Sequence, residues 1–93
     1  IAEITSYQVA ESFNLPNKGR IEAGADADLV IVNLDRKEKV SQKKMHAASD
    51  YSVYEGMELY GWPEYTISRG EVIVKEGQPI KEAGRGKYIK RYI

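Results

Sequence analysis

The chain has 93 residues, 14 basic and 14 acidic side chains, one His and no Cys. Equal opposite charge leaves no global field to draw in nucleic acid or a membrane surface. The missing thiols exclude a disulfide framework and a thiolate metal site. No apolar run approaches the roughly 18 residues a membrane span needs, and a chain this short buries only about 60–65% of its unfolded surface, so its core is modest.

The opening Ile1-Ala2-Glu3 is neither a signal peptide nor an initiator Met, which predicts a chain that begins inside a larger reading frame or after processing. Thr5-Ser6-Tyr7-Gln8 has capping-box spacing, with Ile4 and Val9 placed as a hydrophobic staple. Val9, Ala10 and Phe13 form one apolar stripe. Asn14 suits a left-handed stop, and Pro16 forbids continuation. A short helix is expected over residues 6–13.

Asn17-Lys18-Gly19-Arg20 reads as a turn, Ile21 as a short extended piece, and Ala23-Gly24-Ala25-Asp26 as a second turn. Leu29-Val30-Ile31-Val32 is a continuous apolar run, expected to be a strand covered on both faces. The charge run Asp35-Arg36-Lys37-Glu38-Lys39 reads as a solvated turn. Ser41 is placed to cap a helical turn through Met45. Residues 47–63 lack a clean period and hold Tyr51, Tyr54, Met57, Tyr60 and Trp62, so an ordered loop packed by its own aromatics is expected.

Arg69-Gly70 predicts a two-residue hairpin turn, with Ile67 opposing Val72 and Tyr65 opposing Val74 on one face. Glu76-Gly77 predicts a second such turn, with Ile80 returning opposite Ile73. The result is a three-stranded antiparallel meander over residues 64–82, followed by a tail over 83–93.

The candidates for chemistry are few. His46 and Asp50, four apart, would share a helical face as a metal pair or a dyad, but no third ligand accompanies them. The alternative is a surface or interface His with an ordinary partner. The serines lack a G-x-S-x-G elbow, which leaves a Ser–His–Asp arrangement without its signature. Gly84-Arg85-Gly86-Lys87 lacks P-loop spacing, and no predicted helix follows it. Arg85, Lys87, Lys90 and Arg91 interleave with Tyr88 and Tyr92. That pattern suits single-stranded nucleic acid, or a tail docked on its own fold or on a neighbouring subunit. The neutral overall charge favours docking. The aromatics of 51–62 would line a pocket or fill a small core or interface. No catalytic, cofactor-binding or metal-ligating residue is assigned to this chain.

Residues 15–31 contain Gly19-Arg20-Ile21-Glu22-Ala23-Gly24-Ala25-Asp26-Ala27-Asp28-Leu29-Val30-Ile31, which resembles the G-x-I-x-x-G-x-D-A-D-L-V-I stretch that follows the barrel in many amidohydrolases. Asp50-Tyr51-Ser52-Val53-Tyr54-Glu55-Gly56-Met57 is similar to the D-Y-x-x-[FY]-E-G-M segment of dihydropyrimidinases and hydantoinases. Residues 67–74 and 84–91 resemble that group's closing hairpin and tail.

The resemblance implies a metal-dependent (β/α)8 barrel that is absent here. It also implies a composite β-sandwich domain to which this mainly β chain supplies the C-terminal part. Residues 1–15 would be the last barrel-type helix, 16–82 the accessory segment with its hairpin over 64–82, and 83–93 the tail.

The implied parent reaction is zinc-dependent opening of a cyclic amide, in a dihydropyrimidine or hydantoin, to a carbamoyl amino acid. Two zinc ions would be held by residues preceding this segment and none by the segment itself. The implied partners are the remainder of the enzyme or other copies in a homo-oligomer, in the cytoplasm, with no nucleic acid or membrane. The collapsin response mediator proteins, which keep this fold and have lost metal ligands, supply the alternative of a non-enzymatic binding protein.

Overall fold

The computed structural model describes residues 1–46 and 48–91. Tyr92, the last aromatic of the tail pattern, therefore lies outside the described residues. The elements in order are a π-helical turn over Glu3–Tyr7, helix α1 (Gln8–Ser12), strand β1 (Leu29–Lys39), a 3₁₀ turn over Gln42–Lys44, and strands β2 (Glu58–Ser68), β3 (Glu71–Lys75) and β4 (Gln78–Pro79). The strands form one antiparallel sheet in the order β1-β2-β3-β4. The architecture is mainly β with short helices, as expected. No described helix is long and apolar enough to cross a membrane.

The helical stretch begins earlier than its capping-box reading. Thr5 lies inside it, and both its backbone N–H (3.0 Å) and its hydroxyl (2.8 Å) donate to the Ile1 carbonyl. A capping Thr needs non-helical backbone; with a carbonyl available four residues upstream, Thr5 back-bonds to it instead. The staple does not form either, and Ile4 and Val9 are exposed. The stop is as expected: Asn14 adopts φ 56°, and Leu15 donates to the Ala10 carbonyl at 2.9 Å. Of the apolar stripe only Ala10 is buried.

What buries Ala10 is the following loop. Gly19 sits at φ +80°, so close to the helix that a Cβ there would lie 2.6 Å from the Ser6 carbonyl oxygen and 2.8 Å from the Ala10 Cβ. Arg20 secures the same contact by pairing with Glu11 and lying 5.2 Å over the Tyr7 ring. Ile21 joins no strand and is exposed.

Strand β1 runs on through the charge run that reads as a turn. A ladder bonds backbone to backbone, so polar side chains do not stop it where their charges find cross-strand partners. Lys37 meets Glu58 at 2.7 Å and lies 5.4 Å from the Tyr60 ring centroid. A turn does occur, but inside the strand. Asp35 N–H donates to the Asn33 side-chain oxygen at 3.0 Å, and the register slips between Asn33 and Lys37 opposite Gly61. A second slip, between Ile31 and Val32, accommodates Pro63, which has no N–H to offer the ladder.

The apolar half of β1 is not covered on both faces among the described residues. It pairs with β2 alone and forms the sheet edge, and Val30, Ile31 and Val32 are about half exposed. Residues 58–63 of the expected loop belong to β2. The loop aromatics do not pack on one another as a core: Tyr51, Tyr54 and Tyr60 are exposed.

The hairpin turns are as the dipeptides predict. Arg69 and Gly70 (φ 48° and 81°), then Glu76 and Gly77 (φ 50° and 81°), are left-handed pairs, as type I′ turns require. Ile67 pairs with Val72, and Ile80 N–H donates to the Ile73 carbonyl at 2.9 Å. Tyr65, however, faces Lys75 rather than Val74, because a bulge between Thr66 and Ile67 shifts the register by one residue.

Among the described residues only Ala10 and Val40 are buried hydrophobics. The accessible surface of 7727 Å² exceeds the roughly 5,400 Å² of a compact monomer of 10.5 kDa. The radius of gyration is 15.6 Å, against about 12 Å for a compact domain of this length.

Candidate functional site

A connected polar cluster lies where the loop before β1 meets the tip of the β2–β3 hairpin. Asp28 accepts the Arg69 backbone N–H at 2.8 Å and a Lys18 ammonium hydrogen bond at 2.5 Å. The Ala27 carbonyl accepts Gly70 N–H at 3.0 Å. Lys18 also meets Asp26 at 2.9 Å, and Asp26 N–H closes the loop on the Asn17 carbonyl at 2.9 Å. The Lys18 hydrogen bond, reinforced by the Arg69 N–H, holds the Asp28 carboxyl below its ordinary range. Asp28 in turn raises the Lys18 ammonium. The Asp26-Ala27-Asp28 stretch is therefore a clasp that receives the hairpin tip, with its carboxylates committed to a cation and a backbone donor.

The tail returns to this tip. Arg69 donates through its guanidinium to the Arg85 carbonyl, while Arg85 donates to the Ser68 carbonyl at 3.2 Å and meets Glu71 at 3.5 Å. Sheet and tail enclose a groove of about 840 Å³ whose lining includes Leu29, Val30, Ile67, Ile73, Gly84 and Ile89.

His46 does not join Asp50: its Nε2 bonds to the Gly77 carbonyl at 3.0 Å, and residues 48–50 form a bend, so the four-residue spacing makes no helical face. Bonding to a carbonyl requires that Nε2 carry the proton, which leaves Nδ1 as the ring nitrogen with a free lone pair. Among the described residues no three His, Cys, Asp or Glu side chains gather as a metal site. The donor set present does not fit a dinuclear zinc centre.

Gly84-Arg85-Gly86-Lys87 cradles no helix N-terminus; Arg85 serves the hairpin. Arg91 lies 5.8 Å over the Phe13 ring, which is the self-docking arrangement of the tail. Tyr88 is 91% exposed. Trp62 donates to its own strand at the Leu59 carbonyl, 2.7 Å away. Glu55 accepts Gln42 N–H at 2.7 Å, and Gly56 and Met57 bond to the Val40 backbone at 2.8 Å each. The Glu-Gly-Met motif thus anchors the 3₁₀ turn and buries Val40.

Asp28 and the Arg69–Arg85 exchange carry the organisation of this end, and reading the sequence for chemistry passed over both. One signal was available: an Arg at a left-handed turn position where Asn is the better local choice.

A sequence model of the amidohydrolase family matches residues 1–73. The chain is 44% identical over 89 residues to the dihydropyrimidinase of Rattus norvegicus, covering 95% of this chain and 17% of that protein. It is 41% identical over 90 residues to the D-hydantoinase of Geobacillus stearothermophilus, covering 96% and 19%. The structure of dihydropyrimidinase from Brevibacillus agri superposes with a TM-score of 0.88 at 37% identity, over 97% of this chain and 20% of that one. A D-hydantoinase structure gives a TM-score of 0.89 at 38% identity, over 98% and 20%. The chain thus spans about a fifth of the length of these relatives, and its sheet matches part of the domain that accompanies their barrel, without the barrel.

Proposed function

Because the chain belongs to the amidohydrolase family, we propose that it is the C-terminal structural segment of an enzyme hydrolysing the cyclic amide of dihydropyrimidines or hydantoins to carbamoyl amino acids. The observation that carries this reading is likeness to a dihydropyrimidinase and a D-hydantoinase across nearly the whole chain. The segment contributes scaffold. Asp28 is committed to a backbone donor and a cation and His46 to a carbonyl, and in this reading the metal chemistry belongs to residues outside the segment.

Its partner in this reading is the remainder of the enzyme, or other copies in a homo-oligomer, in the cytoplasm, with neither nucleic acid nor membrane involved. The surface excess over a compact monomer supports a partner. At about 2,300 Å² it is the scale of an obligate interface.

The test is ring opening of dihydrouracil and of hydantoin by the full-length protein, with its metal content measured alongside. Metal-dependent opening of either ring, and no turnover by this segment alone, is the expected result. A full-length protein that holds no metal and opens neither ring would overturn the reading in favour of a non-catalytic relative.

A further inference from the structure

We infer that residues 83–91 are a releasable strap, pinned at the hairpin tip by Arg69 and Arg85 and at the helix by Arg91, which roofs one apolar stretch of the sheet. Three observations carry this inference.

The first is local and concerns the turn. A type I′ turn demands left-handed backbone at both central residues, and Asn-Gly is the pair that adopts it with least strain. Arg69 holds φ 48° without that advantage. The guanidinium of this side chain donates to the Arg85 carbonyl. Arg69 thus combines a left-handed turn position with a specific contact 16 residues away.

The second is reciprocity. Arg69 donates to the backbone of residue 85, and Arg85 donates to the backbone of residue 68 at 3.2 Å. Two part-buried guanidinium groups thus each satisfy a carbonyl of the other's segment. Charge-assisted bonds of this kind are stronger than neutral ones.

The third is the manner of attachment. The tail belongs to no strand or helix, and no backbone–backbone hydrogen bond ties described residues 83–91 to the fold. It is held by side chains: Arg69 and Arg85 at one end, and Arg91 over Phe13 at 5.8 Å at the other. Between these pins it walls the groove of about 840 Å³ over Val30, Ile67 and Ile73. A segment fixed by side chains alone opens without breaking a ladder, so it is the least stable unit of this region.

The test uses Arg69→Asn in the full-length protein. This substitution improves the turn and removes the pin. Trypsin cleavage after Lys87 should rise about tenfold, the scale of losing one charge-assisted hydrogen bond. Binding of an apolar fluorescent dye should rise with it, while the melting temperature holds or increases. Arg85→Gln, which releases the other half of the exchange, should give the same protease and dye response. Unchanged cleavage in both variants overturns the strap. So does faster cleavage accompanied by a lower melting temperature in Arg69→Asn, because that result would make Arg69 a structural residue of the hairpin.

Discussion

The carboxylate of Asp28 accepts the backbone N–H of Arg69 at 2.8 Å, across 41 positions of sequence. One acidic side chain at the start of the first strand thereby fixes the tip of a hairpin built from the second and third. The neighbouring Lys18 balances its charge at 2.5 Å.

Asp28→Asn should leave an acceptor for Arg69 but remove the charge that pairs with Lys18. The Asp28 side chain is 40% accessible, so solvent screening limits the loss to about 1 kcal/mol at neutral pH. The Asp28 carboxyl is depressed below 3.8, first by Lys18 and then by the Arg69 N–H. Its stabilisation is therefore present above pH 3.8 and is lost as pH falls through the lower folded value. Lys18, raised above 10.5 chiefly by Asp28, contributes fully below that pH and loses its contribution as pH climbs through the higher folded value. Denaturant midpoints of the native and Asp28→Asn proteins should converge in strong acid and again in strong base.

Gly19 and Gly24 both have positive φ, at +80° and +95°, yet they answer different demands. A Cβ at Gly24 meets nothing within 4 Å, whereas one at Gly19 strikes the Ser6 carbonyl and Ala10. Gly24→Ala should cost about 1–2 kcal/mol from backbone strain alone. Gly19→Ala should cost roughly 1–3 kcal/mol more, because the helix must also move away. Denaturant unfolding of the two variants side by side gives the comparison, and equal losses would refute the close packing of loop on helix.

His46→Ala should leave the metal content of the full-length protein unchanged. The imidazole Nε2 is bonded to the Gly77 carbonyl at 3.0 Å, so the substitution removes one exposed hydrogen bond and costs under about 1.5 kcal/mol. Elemental analysis of both proteins is the check. A lower metal-to-protein ratio in the variant would place His46 in a metal centre.

The isolated chain should associate with itself. Val30, Val32 and Leu34 alternate along the sheet edge with exposures of 57%, 46% and 76%, and an open apolar edge strand favours pairing. The sedimentation coefficient should rise with concentration, and Leu34→Asp should reduce the rise. A native chain that remains monomeric across the concentration series would show that this face needs no partner.

Much of the local structure was legible in the sequence because its causes are local. Arg69-Gly70 and Glu76-Gly77 mark their own turns, since only certain residue pairs enter left-handed backbone cheaply. Asn14 before Pro16 marks its helix end for the same reason. The four motif blocks name the family. The sequence alone also argued against catalysis by this segment, through a single His and no thiol.

Tertiary structure decided whatever depends on a partner distant in sequence. The charge run 35–39 became strand because the ladder bonds come from residues 58–60, which no local pattern reveals. The bulge at Thr66 moved Tyr65 from Val74 to Lys75, a one-residue slip that side-chain alternation cannot foresee. Asp28 reads as one acidic residue among 14 acidic side chains until the fold brings Arg69 to it. The Arg69–Arg85 exchange joins two segments 16 residues apart. Local torsional preferences are written residue by residue. Hydrogen-bond partners across the fold are chosen by the folded chain as a whole, and they determined what these side chains do.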